Sequence, residues 1–207
     1  MGIAVMIMGD SGTGKSTSIR NLKDVGIINV FNKPLPFKND LKTVVSTDSC
    51  PKVISVLERA QADVIVIDDF QGLLATQFFG RALENGYAKF TEMALGYYRV
   101  IRAVESLPTQ RRVYFMSHME RENGREKVKT IGKMLDEKLT VEGLFTIVLK
   151  TVVMEGQYYF QTHNSGFDTV KSPMDMFKED LIPNDLAEVD RAICDYYNIN
   201  QQQGEKK

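Results

Sequence analysis

The sequence has few of the residues that build metal centres and hydrolytic triads. Of its 207 residues only Cys50 and Cys194 are cysteines, and only His118 and His163 are histidines. The cysteines lie far apart, without CxxC or Cys/His spacing, so we interpret them as structural thiols in a reducing compartment. No Gly-x-Ser-x-Gly elbow accompanies the two histidines. These counts exclude metal sites of the His/Cys type and do not support a serine or cysteine triad.

Long hydrophobic runs and a large net charge are also lacking. The apolar start, MGIAVMIMGD, is too short for a signal peptide or a membrane span, and no other stretch approaches about 18 apolar residues. We therefore expect a cytoplasmic protein without membrane contact. The net charge of −1 gives the whole chain no attraction for nucleic acid, so any such surface must be local.

The order of the apolar segments predicts one α/β domain, for which this length suffices. Four apolar runs read as strands that alternate with helical patterns, and two later runs around Glu155-Gly156 predict an antiparallel hairpin. We expect a mainly parallel sheet flanked by helices, with a C-terminal antiparallel hairpin. The predicted strands are 3–8, 27–31, 64–67, 113–116, 144–153 and 158–161, and the predicted helices are 15–22, 51–61, 78–106 (interrupted near Asn85-Gly86) and 186–197.

The C-terminal part differs in charge from the rest of the chain. Residues 173–207 hold eight Asp or Glu against four Lys or Arg. We expect residues 1–170 to form the core and residues 171–207 a short acidic extension. Its one helix would be capped by Asn184 or Asp185, and its polar tail from residue 201 onward would be disordered.

Residues 9–16 match the phosphate-binding pattern G-x-x-x-x-G-K-[ST] in full. Their three glycines let the backbone fold tightly around phosphate oxygens, and the following helix adds its positive N-terminal end. Lys15 would reach the β- and γ-phosphates, and the Ser16 hydroxyl would bind Mg²⁺. An apolar strand precedes the pattern, as the loop requires. The sequence therefore predicts a P-loop nucleoside triphosphatase that uses Mg²⁺, with the nucleotide-binding residues Gly9, Asp10, Ser11, Gly12, Thr13, Gly14, Lys15, Ser16 and Thr17.

Polar residues follow two further predicted strands, at the sheet edge where open α/β sheets bind ligands. Asp68 is expected to hold Mg²⁺ together with Ser16, and Asp69 to orient or deprotonate the attacking water. Ser117 and His118 are the candidates to contact the γ-phosphate. The alternatives stay open: a strand-end carboxylate can cap the next segment, and a lone histidine can be a satisfied hydrogen-bonding residue.

Several motifs together resemble a known family. They are GDSGTGKST, INVFNKPLPFK, VIVIDDF, FMSHME, KTIGKMLDEKL and the closing DTVKSPMDMF–IPNDL. The chain is similar over nearly its whole length to phage-encoded nucleotide-binding proteins with a minimal RecA-type core, and most to the Sak-four group of single-strand annealing proteins. KPLPFK and KTIGKMLDEKL are the narrower motifs and carry this assignment.

The resemblance implies a RecA-like P-loop core and ATP-dependent handling of single-stranded DNA in phage homologous recombination, by annealing or strand exchange. It implies a homo-oligomer (ring or filament) in the host cytoplasm, beside a single-stranded-DNA-binding protein. By position, loops 70–89 and 119–133 would face DNA, and Lys171 would be the cation presented to a neighbour's γ-phosphate. A surface lysine is the alternative for Lys171. The cations expected to contact DNA are Arg81, Lys89, Arg121, Arg125, Lys127 and Lys129.

One departure from the RecA pattern concerns the catalytic base. Many RecA relatives place a catalytic Glu after the second strand, whereas Asn32 and Lys33 follow that strand here. Either Asp69 substitutes, or hydrolysis is slow and ATP binding acts mainly as an assembly switch. Two other functions remain open: a small-molecule P-loop kinase, and a non-catalytic ATP-switched accessory protein of replication or recombination.

Overall fold

The computed structural model describes residues 1–39, 41, 43–132, 135 and 138–199. The predicted polar tail over 201–207 lies outside this range, as do four positions of the KTIGKMLDEKL motif. Within the described residues nine strands form one sheet. They are β1 Ile3–Gly9, β2 Val25–Asn29, β3 Val44–Ser46, β4 Val64–Asp68, β5 Arg112–Glu122, β6 Arg125–Val128, β7 Ile147–Met154, β8 Gln157–Gln161 and β9 Leu181–Pro183.

The sheet runs in the order β3-β2-β4-β5-β1-β7-β8-β9, and β6 pairs with β5. All neighbours from β3 to β7 pair in parallel, whereas β8 and β9 are antiparallel. The predicted α/β fold with a mainly parallel sheet and a later antiparallel hairpin is therefore confirmed. The turn between β7 and β8 contains Glu155 and Gly156, both with positive φ, as the tight hairpin turn requires.

Helices cover both faces of the sheet and bury two separate apolar cores. Among the described residues the α-helices are α1 Cys50–Arg59, α2 Gly72–Gly80, α3 Ala88–Ala103 and α4 Leu186–Tyr196, and 3₁₀ helices span Ser16–Asn21, Val104–Ser106 and Val141–Leu144. On one face the first three α-helices bury side chains such as Leu57, Leu73 and Tyr97. On the other face α4 and the first 3₁₀ helix bury Ile19 and Val189. None of the described helices is long and apolar enough to cross a membrane.

Three predicted elements differ in the structure. The helix predicted over 15–22 is only the short 3₁₀ segment, and the helical stretch predicted from Phe78 begins earlier, at Gly72. The start of the loop expected over 119–133 instead continues β5 and returns as β6 through a turn at Asn123 and Gly124. Both turn residues have positive φ, which explains the Asn-Gly pair at this point.

The C-terminal residues are joined to the rest of the molecule. Strand β9 extends the sheet beside β8, and α4 begins at Asp185, whose side chain accepts a hydrogen bond from the amide of Ala187 at 3.0 Å. This confirms the predicted cap. In the core, Asp190 of α4 accepts hydrogen bonds from Arg112 and Tyr114 of β5.

Candidate functional site

The ends of β1, β2 and β4 meet the middle of β5 at one edge of the sheet and position the candidate site. Parallel pairing aligns Gly9 at the end of β1 with His118 of β5, and Asn29 at the end of β2 with Asp68 of β4. Because the carboxyl ends of parallel strands lie at the same edge, residues far apart in the chain become neighbours there. The predicted site residues of strands β1, β4 and β5 are therefore brought together.

The loop after β1 needs its glycines for two different reasons. A side chain at Gly9 would collide with Thr151 of β7, since a Cβ there would lie 1.9 Å from the Thr151 hydroxyl oxygen. Gly12 and Gly14 instead have φ of +79° and +95°, which glycine adopts most easily, and a Cβ at Gly12 would meet open space. The loop is thus held closely against the sheet at its start and stays open at Gly12.

Lys15 folds back into this loop. Its ammonium donates hydrogen bonds to the carbonyl oxygens of Gly9 at 2.8 Å and Asp10 at 2.7 Å, and the residue is buried. Burial lowers the pKa of Lys15 to about 8, although the nearby carboxylates of Asp69 and Asp68 oppose the shift. The carbonyl oxygens are neutral acceptors. A phosphate bound in the loop would give the Lys15 ammonium a negatively charged partner and therefore a stronger hydrogen bond.

Ser16 and Asp68, the two predicted magnesium ligands, are in direct contact. The Ser16 hydroxyl lies 2.9 Å and 3.0 Å from the two carboxylate oxygens of Asp68. Burial raises the pKa of Asp68, and the negative charge of Asp69 raises it further. A buried carboxylate without a cationic partner is costly. The pair therefore fits Mg²⁺, which proteins bind through one or two oxygen ligands together with substrate phosphates and water.

The described residues contain no group of three or more His, Cys, Asp and Glu side chains that could hold a metal ion.

Asp69 lies beside Asp68 but faces other partners. Its carboxylate forms an ion pair with Lys33, and His118 Nε2 lies 3.7 Å from its Oδ1. Burial alone would raise the pKa of Asp69, but the interactions with His118 and Lys33 outweigh burial and lower it. Asp69 has a φ of +58°, so the chain turns sharply after β4 and directs the two adjacent carboxylates differently.

A cavity of about 350 Å³ opens at this sheet edge. Its volume lies in the range of small-ligand sites. Lys15, Lys33, Asp69, His118 and Tyr158 supply the chemically distinctive side chains of its wall, and the backbone of the glycine-rich loop supplies much of the rest. The full set of lining residues is Ser11, Gly12, Gly14, Lys15, Ser16, Thr17, Lys33, Pro36, Asp69, His118 and Tyr158.

Some predicted site residues do not line this cavity. Ser117 is completely buried, and its hydroxyl lies beside that of Tyr97 and does not line the cavity. Thr13 does not line the cavity either but anchors the loop. Its hydroxyl donates a hydrogen bond to the Asp10 carbonyl at 2.7 Å and lies 2.6 Å from the Thr151 hydroxyl. Lys171 forms a backbone bridge with Val148 of β7, away from the cavity wall of its own chain.

The β5–β6 hairpin carries the four cations predicted in the loop after β5, and two of them are ion-paired across the strands. Arg121 bonds Glu126 at 2.8 Å, and Lys127 bonds Glu122 at 2.5 Å. Cross-strand pairs of opposite charge stabilise a hairpin. The same carboxylates reduce the charge that these two cations can offer to a phosphate.

Arg125 and Lys129 are the other two cations of the hairpin. Both are exposed, and neither forms an ion pair with any residue that the structure describes. Arg125 donates a hydrogen bond to the Asp168 carbonyl at 3.3 Å. The amide of Lys129 donates to the carbonyl of His118 at 2.9 Å, so the hairpin base is attached directly to the candidate site.

Arg81 and Lys89, which were predicted to contact DNA, both bind other groups of the chain. Arg81 pairs with Glu84 at 2.7 Å and with Glu92 at 2.9 Å. The Lys89 ammonium is buried and donates to backbone carbonyls between α2 and α3, among them that of Glu84 at 2.6 Å. In this turn the strongly exposed large side chains are apolar ones, Phe79, Leu83 and Tyr87.

Sequence reasoning did not assign Lys33 and Tyr158 to the site. Lys33 lies four residues past the end of β2, so the rule that polar residues directly at strand ends form sites did not indicate it. No such signal marks Tyr158 either, which reaches the cavity because the β7–β8 hairpin brings it close to Gly14.

No protein-family model matches this chain, and no curated protein is significantly similar to it.

Proposed function

We propose that the chain is a magnesium-dependent ATPase with a RecA-like P-loop core. The observation that carries this proposal is the convergence of Lys15, Ser16 and Asp68 at neighbouring strand ends, around an open glycine-rich loop. A cation for the phosphates and two oxygen ligands for Mg²⁺ are what nucleotide binding at such a loop requires.

In the proposed reaction a water oxygen attacks the γ-phosphorus, and the bond between that phosphorus and the β,γ-bridging oxygen breaks. ADP leaves with the bridging oxygen, inorganic phosphate forms, and Asp69 accepts the proton that the water releases. Mg²⁺, when bound, would neutralise charge on the phosphate oxygens. Lys15 stabilises the same charge, and His118 beside Asp69 holds the carboxylate in place.

We further propose that this ATPase acts on single-stranded DNA in phage homologous recombination, as a homo-oligomer and beside a single-stranded-DNA-binding protein. The family resemblance of the sequence motifs supports this part. The β5–β6 hairpin supports it as well, because it continues the strand that bears His118 and carries exposed cations. DNA bound on such a hairpin would act on the site through the shared strand.

The experiment is an ATP hydrolysis assay of the full chain with single-stranded DNA, with double-stranded DNA and without DNA. The proposal expects magnesium-dependent hydrolysis that single-stranded DNA stimulates more than double-stranded DNA does. Hydrolysis that no DNA alters would overturn the DNA part alone. Absence of both nucleotide binding and hydrolysis would overturn the ATPase itself.

A second function is favoured by one contact. Because Lys33 neutralises Asp69, the candidate base is not free in the nucleotide-free protein. An ATP-switched accessory protein would use this arrangement to bind ATP and hold it. The same assay separates the two functions, since the accessory protein would bind ATP with Mg²⁺ and show no steady turnover under any DNA condition.

A further inference from the structure

Lys33 lies at the rim of the cavity, where its backbone is anchored by hydrogen bonds and its side chain is largely exposed. Its carbonyl accepts a hydrogen bond from the Asn29 side chain at 2.6 Å, and its amide donates to the same side chain at 3.2 Å. Asn29 is buried at the end of β2, so the start of the following loop is anchored to the sheet. The Lys33 side chain is 58% exposed, and its ammonium lies 5.2 Å from the centre of the Phe31 ring.

The partner of Lys33 is a residue of the candidate site. The ammonium pairs with Asp69, whose side chain is only 8% exposed, and both residues line the cavity of the glycine-rich loop. An ion pair with one exposed member is easily exchanged, because solvent screening keeps its net strength small. The Lys33 ammonium therefore lies close to the glycine-rich loop and can leave Asp69 at low cost in free energy.

The other positive side chain of the cavity is placed differently. Lys15 is buried and bonded to two carbonyl oxygens of the loop itself, so it serves whichever phosphate the loop encloses. Lys33 instead lies on the side of the cavity that holds Asp69 and His118. A third phosphate would extend to that side and bring negative charge towards Asp69, which would favour moving the cation from the carboxylate to the phosphate.

We propose that Lys33 leaves Asp69 to bind the γ-phosphate of a bound nucleoside triphosphate, and that this exchange makes the site prefer triphosphate over diphosphate. The inference rests on the proposed nucleotide-binding function. Two consequences follow from one movement: the γ-phosphate gains a charge-assisted contact, and Asp69 loses its neutralising partner when a triphosphate is present.

The test is isothermal titration calorimetry with MgADP and with the magnesium complex of the β,γ-imido analogue of ATP, which is not hydrolysed readily. In Lys33→Gln we expect the preference of the wild type for the triphosphate analogue to fall about tenfold or more, which corresponds to about 1.4 kcal/mol. ADP affinity should stay within about twofold, because Lys15 and the loop remain. Lys38→Gln, an exposed lysine of the same loop outside the cavity wall, is the matched control and should keep the preference.

Asp69→Asn provides a second variant that tests the exchange itself. Removing the carboxylate releases Lys33 and removes repulsion of the γ-phosphate, so affinity for the imido analogue should rise. In Lys33→Gln/Asp69→Asn the part of this gain that depends on Lys33 should disappear. ³¹P spectra of the bound analogue should show a γ-phosphorus shift that changes in Lys33→Gln and not in Lys38→Gln.

The possible failures are distinguishable. Equal losses of ADP and analogue affinity in Lys33→Gln, or an unchanged preference, would overturn the role of Lys33 while leaving the nucleotide site standing. A wild-type protein that binds neither ligand in the presence of Mg²⁺ would overturn the proposed function together with this inference.

Discussion

At the scale of single residues, Asp68 and Asp69 share a strand end but experience different surroundings. Burial and its charged neighbour raise the pKa of Asp68, while His118 and Lys33 lower that of Asp69 against the effect of burial. Among the described residues Asp69 has a cationic ion-pair partner, Lys33, and Asp68 has none. Asp68 accordingly suits a metal cation, whereas Asp69 would become a better proton acceptor only when Lys33 leaves it, as in the exchange proposed above.

Substitution of each carboxylate by its amide should separate these roles. Asp68→Asn should weaken magnesium-dependent ATP binding about tenfold or more, because it removes a ligand charge from the metal. Asp69→Asn should bind ATP at least as tightly as the wild type and should hydrolyse it about a hundredfold more slowly, at the lower end of the range for loss of a general base. Calorimetry and a phosphate-release assay measure the two effects. Normal hydrolysis in Asp69→Asn would show that the base is another group.

The residues of the glycine-rich loop could be predicted from sequence because their chemistry is local. Gly9, Lys15 and Ser16 stand at a fixed spacing that folds around phosphate wherever it follows a strand. Lys33 could not be assigned in the same way. Its position depends on β2 lying beside β4 and on the positive φ of Asn32, and neither can be inferred from the motif itself.

At the scale of elements, the β5–β6 hairpin is the structure most relevant to DNA. Its cations form two classes: Arg121 and Lys127 pair with carboxylates of the opposite strand, whereas Arg125 and Lys129 are exposed without such a pair among the described residues. Only an uncompensated cation adds its full charge to a phosphate-binding surface. We therefore expect Arg125 and Lys129 to contribute more to DNA affinity.

Two double variants of the hairpin test this expectation. Arg125→Ser/Lys129→Ser should weaken binding of single-stranded DNA and flatten the slope of log K against log salt by about 1.4, since each phosphate neutralised contributes about 0.7. Arg121→Ser/Lys127→Ser removes the same formal charge and should change the slope less. Fluorescence anisotropy of a labelled oligonucleotide over a salt series, with ATP present, measures both. Unchanged affinity and slope in both variants would show that DNA binds elsewhere.

Elements with a strong pattern were predicted well, and short ones were not. The apolar runs of β1 and β4 could be recognised because buried parallel strands are apolar throughout. Strands β3 and β9 have three residues each, too few for a pattern, and they form only because a neighbouring strand offers its edge. The β5–β6 hairpin did carry a signal, the Asn123-Gly124 pair, but the many charges around it indicated a loop.

At the scale of the whole molecule, a buried polar cluster ties the C-terminal helix to the centre of the sheet. Asp190 of α4 lies 2.9 Å from Arg112 across an ion pair that is almost completely buried, and it accepts a hydrogen bond from Tyr114 at 2.6 Å. Removing one member of such a pair leaves the other charge buried without a partner. The helix and the sheet should therefore lose stability together.

Asp190→Ala should lower the free energy of unfolding by about 3–5 kcal/mol, because Arg112 would remain buried and unpaired. Arg191→Ala, the next residue on the exposed side of the same helix, should change it by less than about 0.5 kcal/mol. Urea unfolding followed by circular dichroism measures both values. Similar small effects in the two variants would show that α4 contributes little to the stability of the sheet.

The most direct test of the account is ATP hydrolysis by the wild type and by Lys15→Ala, each measured with and without Mg²⁺. Because burial already disfavours the charge of Lys15, its removal should leave the thermal unfolding temperature nearly unchanged. The account predicts magnesium-dependent hydrolysis in the wild type and a loss of about a hundredfold or more in the variant. Wild-type hydrolysis by a folded Lys15→Ala protein would contradict the assignment of the glycine-rich loop as the nucleotide site.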